Sequence, residues 1–481
     1  MIGSVGVRAG AIAAMLAVAA VPAAAQDVLI KQYDDGSVYE GTFRDGLPDG
    51  RGTYRLPSGF EYEGEWLAGE IRGQGRARYP SGAVYEGAFL AGKPEGQGRI
   101  THPDGGSYEG EWTDGRMTGN GTARYPDGTV HTGAFVDGVP QGPGVLLSPG
   151  GLRHEGIWAA GVMEGTGRIA YPDGAVYEGT LVAGQRQGQG KLTTPDGLVF
   201  EGQWDAGQIN GEGRLTQPNG DVYEGGFVNG ERSGQGRVTY ANGDSYEGAF
   251  LADKRHGQGT FRGPEGYVYE GEWREGVIEG QGRVTYPDGA VHEGAFRAGE
   301  AEGPGRISYP DGTSFEGIWS RGAIEGEGRA TWASGQSYEG GFRAARPHGR
   351  GVMTWPDGTR YEGDWADGIR QGQGEAAYPN GTVYRGGFAN GLREGTGEIV
   401  MADGFRYAGG WVAGRMEGEG TATYPGGEVY TGGFRADRRH GQGTLTYPSG
   451  DVAAGIWTDG LLTGPASVPP APEGAAPADG G

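Results

Sequence analysis

The stretch Tyr39-Glu40-Gly41-Thr42-Phe43 returns every 23 residues, with no insertion or deletion, until the C-terminal tail. Its glycine stands in nineteen copies, from Gly41 to Gly455, and two further glycine series keep step, Gly50 to Gly464 and Gly59 to Gly450. A fixed period of this length denotes a repeat architecture. Each unit is one supersecondary piece that cannot bury its apolar face alone, so its neighbours must bury it. The 106 Gly and 27 Pro of the 481-residue chain would suggest disorder if they had no period. Phased as they are, they read as turns and close backbone contacts.

Within one repeat, Tyr39, Gly41 and Phe43 alternate with Glu40 and Thr42, which is the two-residue period of a strand. Asp45-Gly46-Leu47-Pro48-Asp49-Gly50 has turn composition, a second strand runs through Gly52, Tyr54 and Leu56, and Pro57-Ser58-Gly59 closes the unit. One face carries aromatic and apolar side chains. The other pairs Glu63, Glu86 and Glu109 with Arg76, Arg78 and Arg99, at about 0.2–1 kcal/mol per cross-strand pair. No later segment has a helical period. The expectation is an all-β fold: an elongated single-layer antiparallel meander of about nineteen hairpins over residues 27–464. Residues 1–26 read as a signal peptide, with Arg8 before the apolar run Ala11–Val21 and a cleavage site near Ala25/Gln26. Residues 465–481, rich in Pro, Ala and Gly, read as a disordered tail. The expected location is therefore the periplasm or the exterior of a bacterial cell. The formal charge of −22 argues against nucleic acid as a partner.

The motifs resemble the MORN (membrane occupation and recognition nexus) repeat family. Tyr269-Glu270-Gly271-Glu272-Trp273, Gly280-Gln281-Gly282 and Tyr286-Pro287-Asp288-Gly289 follow its pattern throughout, and Lys254-Arg255-His256-Gly257-Gln258-Gly259 follows a variant of its turn. The resemblance implies extended β structures that act as scaffolds, dimerise, or contact lipids such as phosphatidic acid and phosphoinositides. Similar repeats precede a kinase domain in plant phosphatidylinositol phosphate kinases, but residues of that kind are not present here.

A second period runs inside the first. The fifth-position aromatic alternates between Phe and Trp, as in Phe43, Trp66, Phe89 and Trp112, with Leu181 in a Phe place and Phe250 out of phase. Trp repeats usually carry an apolar residue at the turn, such as Ile71, Met117, Ile278 and Ile324. Phe repeats carry Pro or Arg there, such as Pro48, Pro94, Arg186 and Arg393. This predicts a 46-residue structural unit in which the apolar turn residue covers the larger Trp.

Catalysis needs unlike groups converging on one point. This chain has nearly equivalent groups along a line, no Cys, and no nucleophile-elbow, zinc-protease or phosphate-loop motif, so it is read as a non-enzyme without cofactor or metal. His256, His348 and His440 recur at 92-residue intervals and read as turn variants too far apart to share a metal. The candidate face, as core or as binding surface, is aromatic: Tyr39, Phe43, Tyr62, Trp66, Tyr269, Trp273, Trp319, Tyr361 and Trp365. Protein scaffolding is the leading reading, with an unidentified protein partner and homodimerisation open. Lipid binding, or glycan and cell-wall binding through the aromatic face, is the alternative.

Overall fold

The computed structural model describes residues 27–465; the expected signal peptide, and the tail beyond Pro465, lie outside them. Thirty-nine strands occupy these residues and every recorded pairing is antiparallel. The chain divides into two compact units, one ending at Gln208 and one beginning at Ile209. Sixteen strands, Leu29–Gln32 to Val199–Asp205, belong to the first, and twenty-three, from Gln208–Thr216 (all but its first residue) to Leu461–Pro465, to the second. Each unit is a meander in which a strand pairs with the strands before and after it in sequence.

In the first complete repeat, β2 (Val38–Arg44) and β3 (Leu47–Arg55) form a hairpin. The structure corrects the expected six-residue turn. Arg44 already faces Leu47, so only Asp45 and Gly46 form the loop, and both have positive φ, 50° and 77°. That is the mirror-image two-residue turn whose twist matches that of the strands. Leu47 to Gly50 instead open the second strand. The register slips between Gly41 and Phe43, where Gly50 takes a φ of 94°, so the surplus residues form a bulge. The same slip recurs in nearly identical form from repeat to repeat.

The hairpin tips are stitched to one another. The N–H of the positive-φ residue Arg321 donates to Glu302, nineteen residues back, at 2.9 Å, and Ala344 and Ala413 use Glu325 and Glu394 in the same way. A backbone bond runs beside it, from Gly322 N to Ala301 O at 3.1 Å. A conformation unfavourable for a non-glycine residue is therefore held by the preceding repeat.

At the opposite margin most strand pairs are closed by a Pro-x-Gly turn, as at Pro287-Asp288-Gly289, where Asp288 Oδ1 accepts the N–H of Ala290 at 2.9 Å; Ala241, Ala333 and Ala402 replace the Pro in three others. One turn departs from the all-strand expectation. Pro264–Gly266 is a short 3-10 turn with Glu265 at a φ of 56°. Glu stands there in the place of Asp, and its longer side chain does not make the Asp-type bond to the backbone two residues on.

Candidate binding face

The nine aromatic residues named from sequence lie, each within its own unit, on the face that forms the core rather than on an open surface. Tyr39, Tyr62, Tyr269 and Tyr361 are wholly buried, and Trp66, Trp273, Trp319 and Trp365 nearly so; Phe43, at the N-terminal end, is half-buried. Each first-position Tyr ring lies over a pair of facing glycines: a Cβ on Gly282 would meet the ring of Tyr269, whose partner glycine is Gly271. This is the close approach that requires glycine there. The Tyr hydroxyl turns back to the chain, Tyr269 Oη donating to Glu272 O at 2.9 Å. Rings meet edge to face, Tyr269 with Trp273 at 5.3 Å and with Phe296 of the next repeat at 5.6 Å, the arrangement that aromatic quadrupoles favour. Burial pushes the phenols up, Tyr62 to about 12.

The alternation of Trp and Phe has a structural cause, partly the expected one. Trp273 faces Ile278 and Trp319 faces Ile324 across the hairpin, as expected. Two further contacts decide the matter. Each core indole N–H donates to a glycine carbonyl fourteen residues back, Trp273 to Gly259 at 3.2 Å and Trp319 to Gly305 at 2.9 Å. Where the preceding repeat carries Arg at its turn, that Arg lies over the Trp ring, as Arg255 does over Trp273 at 4.1 Å and Arg393 over Trp411 at 4.2 Å. Over a Phe the same stacking is looser, Arg370 lying 5.4 Å from Phe388. Trp is thus held by the repeat before it as well as by its own.

Two repeats break the pattern together, 161 residues apart. His131 and His292 take the Tyr place, are buried, and stand edge-on to Trp158 and Trp319 at 4.7 and 4.8 Å. Both ring nitrogens of His131, and Nε2 of His292, lack a hydrogen-bond partner, and burial lowers the affinity of both rings for a proton. In the following repeat His154 and Phe315 are only half-buried, and Met163 and Ile324 are buried in their stead. A Cβ on Gly167 would meet Met163 Cε at 2.7 Å, and one on Gly328 would meet Ile324 Cδ1 at 2.8 Å, so these side chains fill the vacated Tyr slot. The substitutions were visible in the sequence, but the exchange of slots was not, because it depends on which side chain reaches the glycine pair.

The opposite face is the charged ladder expected from sequence, with Arg283 bonded to Glu293 at 2.9 Å and Arg76 to Glu86 at 3.1 Å. These pairs are exposed and contribute little to stability. Among the described residues no three His, Asp or Glu side chains gather to hold a metal ion.

The MORN repeat pattern matches eighteen consecutive segments, from residues 39–60 to 430–452. The chain belongs to the MORN repeat family. The nineteenth glycine copy lies in the incomplete last hairpin, Val452–Thr458 with Leu461–Pro465. Among characterised proteins, Alsin of Rattus norvegicus is 45% identical over 51 residues, 10% of this chain; the chain spans only 3% of that protein's length. Solved structures resembling this MORN array do so remotely. The Drosophila melanogaster SAS-4 (dCPAP) TCP domain, solved with a proline-rich motif of Ana2 (dSTIL), is 20% identical over 32% of this chain and 83% of its own, with a TM-score of 0.22. The wild-type TCP10 domain of Danio rerio CPAP, solved with a peptide of Danio rerio STIL, is 16% identical over 66% of this chain and 97% of its own, with a TM-score of 0.11.

Proposed function

We propose that this MORN protein is an exported, non-catalytic scaffold that binds another protein along its repeats. The observation that carries the reading is the use of the aromatic rows as core. With Tyr39, Tyr62, Tyr269 and Tyr361 fully buried, the rings that a sugar or choline-type group would stack on are already in contact with glycines and with one another. What remains for recognition is a set of equivalent groups repeated at each hairpin, which suits an extended partner contacted at many points. Acidic groups exceed basic ones in the chain, 62 to 40, which opposes anionic lipid surfaces. Export rests on the character of residues 1–26.

Affinity capture with the mature chain from periplasmic and secreted fractions tests the scaffold reading. A stoichiometric protein partner is expected. Capture of none, together with flotation on phosphatidic acid liposomes that survives high salt, would replace it with lipid binding. N-terminal sequencing is expected to find Asp27, or a neighbour of it, as the first residue; a cytosolic form beginning at Met1 would reject export.

A further inference from the structure

We propose that a row of partly covered rings on the aromatic face of the second unit, Tyr286, Tyr309, Trp332 and Trp355, with a cleft beside its first two members, forms a groove that binds a proline-rich, basic segment of a partner protein in the polyproline II conformation. This deepens the scaffold reading and rests on it.

Tyr286, Tyr309, Trp332 and Trp355 occupy one position of four consecutive repeats, immediately before the margin turn. Their backbones are fixed, each N–H bonded to the carbonyl four residues on, at 2.8, 2.8, 2.9 and 2.8 Å. Unlike the core rings, they are only partly covered; Tyr309 is 36% exposed and the other three are half-buried. Core Trp319 and Tyr338 spend their polar hydrogens on Gly305 O and Gly341 O. The hydroxyls of Tyr286 and Tyr309 and the indole N–H groups of Trp332 and Trp355 make no hydrogen bond within the described residues. Rigid rings with an idle donor at the tip are what recognition surfaces use. Beside Tyr286 and Tyr309 opens a cleft of about 270 Å³, with Ile278, Phe296, Ala301 and Trp319 among its lining.

Three features select the occupant. The row crosses the strands, so a peptide lying along it runs at right angles to them and cannot join their hydrogen-bond ladder. Polyproline II needs no such ladder, because its backbone stays solvated. The second feature is spacing. Two strands separate successive rings by about 9.4–9.8 Å, and one turn of polyproline II, three residues, advances about 9.3 Å. Every third residue of such a peptide therefore meets a ring, as in other aromatic-lined proline-binding grooves. The third is charge. Asp288, Asp311 and Asp357 stand in the margin turns beside three of the rings, while Glu300 and Arg321, which both line the cleft, offset one another; the acidic excess favours basic residues between the prolines.

The test uses the mature chain and a labelled twelve-residue peptide of four Pro-Ala-Arg triplets, followed by fluorescence anisotropy. Saturable binding is expected, weakened at least tenfold by Trp332→Ala and by Trp355→Ala. Trp332→Phe, which keeps the packing and loses only the donor, should weaken it less. Tyr171→Ala, in the first unit, should leave it unchanged. Equal binding of a peptide with Gly in place of Pro would show bare charge attraction and overturn the proposal. Indifference to both alanine variants, or preference for a β-linked oligosaccharide over the peptide, would do the same. Binding that appears only in a variant lacking residues 466–481 would assign the groove to the chain's own proline-rich tail and overturn the partner assignment. A captured partner retained by Trp332→Ala would leave the scaffold reading standing and remove only the groove.

Discussion

At the scale of single residues, the protein distinguishes Trp from Phe by what each ring can bond. Trp273→Phe removes the indole N–H that reaches Gly259 O and leaves a gap beside Ile278. Its expected cost is about 1–3 kcal/mol, the sum of a lost hydrogen bond and a small cavity, read from the urea midpoint. A neutral result would mean that Arg255 settles onto the smaller ring without loss. Buried His131 and His292 give a second residue-scale expectation. Burial holds their proton affinity below that of the unfolded chain, so between the two values the unfolded state binds more protons. The stability they permit is present above about pH 6.5 and is lost as pH falls toward the folded value. The double variant His131→Tyr with His292→Tyr should flatten stability between pH 7.5 and 5, leaving the smaller slope contributed by His154, whose proton affinity burial also lowers. An unchanged slope would place the acid sensitivity elsewhere. The positions of these rings were legible from the 23-residue period, and so was the inward face. The indole bond and the Arg stacking were not, since both join residues of different repeats that no local pattern connects.

At the scale of the hairpin, glycine has two separable duties, and substitution should tell them apart. Gly282 lies beneath the Tyr269 ring, and a methyl there meets ring atoms held by edge-to-face neighbours. Gly276 sits at a hairpin tip with open space around it but a φ of 88°. Gly276→Ala should cost about 1–2 kcal/mol, the strain of a left-handed conformation. Gly282→Ala should cost more, because overpacking adds about 1–3 kcal/mol and the ring has nowhere to go. Equal losses would indicate that the Tyr ring moves freely. The hairpin also shows why turn chemistry was misjudged in length. Six turn-forming residues in a row suggested one loop, whereas Asp45-Gly46 form it and Leu47 to Gly50 feed a bulge. Bulge and loop draw on the same residue types, and only the register separates them. The Glu302-type stitch was hidden for a related reason: a glutamate on a strand looks like another rung of the ladder until its partner nineteen residues away is known.

At the scale of the whole molecule, stability in a repeat protein is a sum of units and nearest-neighbour junctions. The structure makes two kinds of junction distinguishable. In one, a Trp follows a Phe-type repeat and receives its turn residue, usually Pro or Arg, and Ala301 before Trp319; in the other, a Phe follows a Trp repeat. Internal deletion tests whether this alternation carries energy. Removing residues 361–406, two whole repeats, joins the Phe342 repeat to the Trp411 repeat, so Pro347 again precedes a Trp and the order of junctions is kept. Removing residues 361–383 takes out a single repeat and joins Phe342 to Phe388. Tyr338, which meets Trp365 at 5.5 Å, then meets a Phe, and the indole bond to Gly351 O at 3.2 Å has no successor. The shorter deletion should therefore be the more damaging by about 1–3 kcal/mol at the junction, although it removes half as many residues. Urea unfolding of the two variants measures this directly. The native Phe227–Phe250 junction, where Arg232 lies 5.4 Å from Phe250, shows that such a mismatch is tolerated, so both variants should fold. Equal midpoints would reduce the 46-residue period to a trace of duplication without structural consequence. A lower midpoint for the single-repeat deletion would establish the pair of hairpins as the unit in which this array is built.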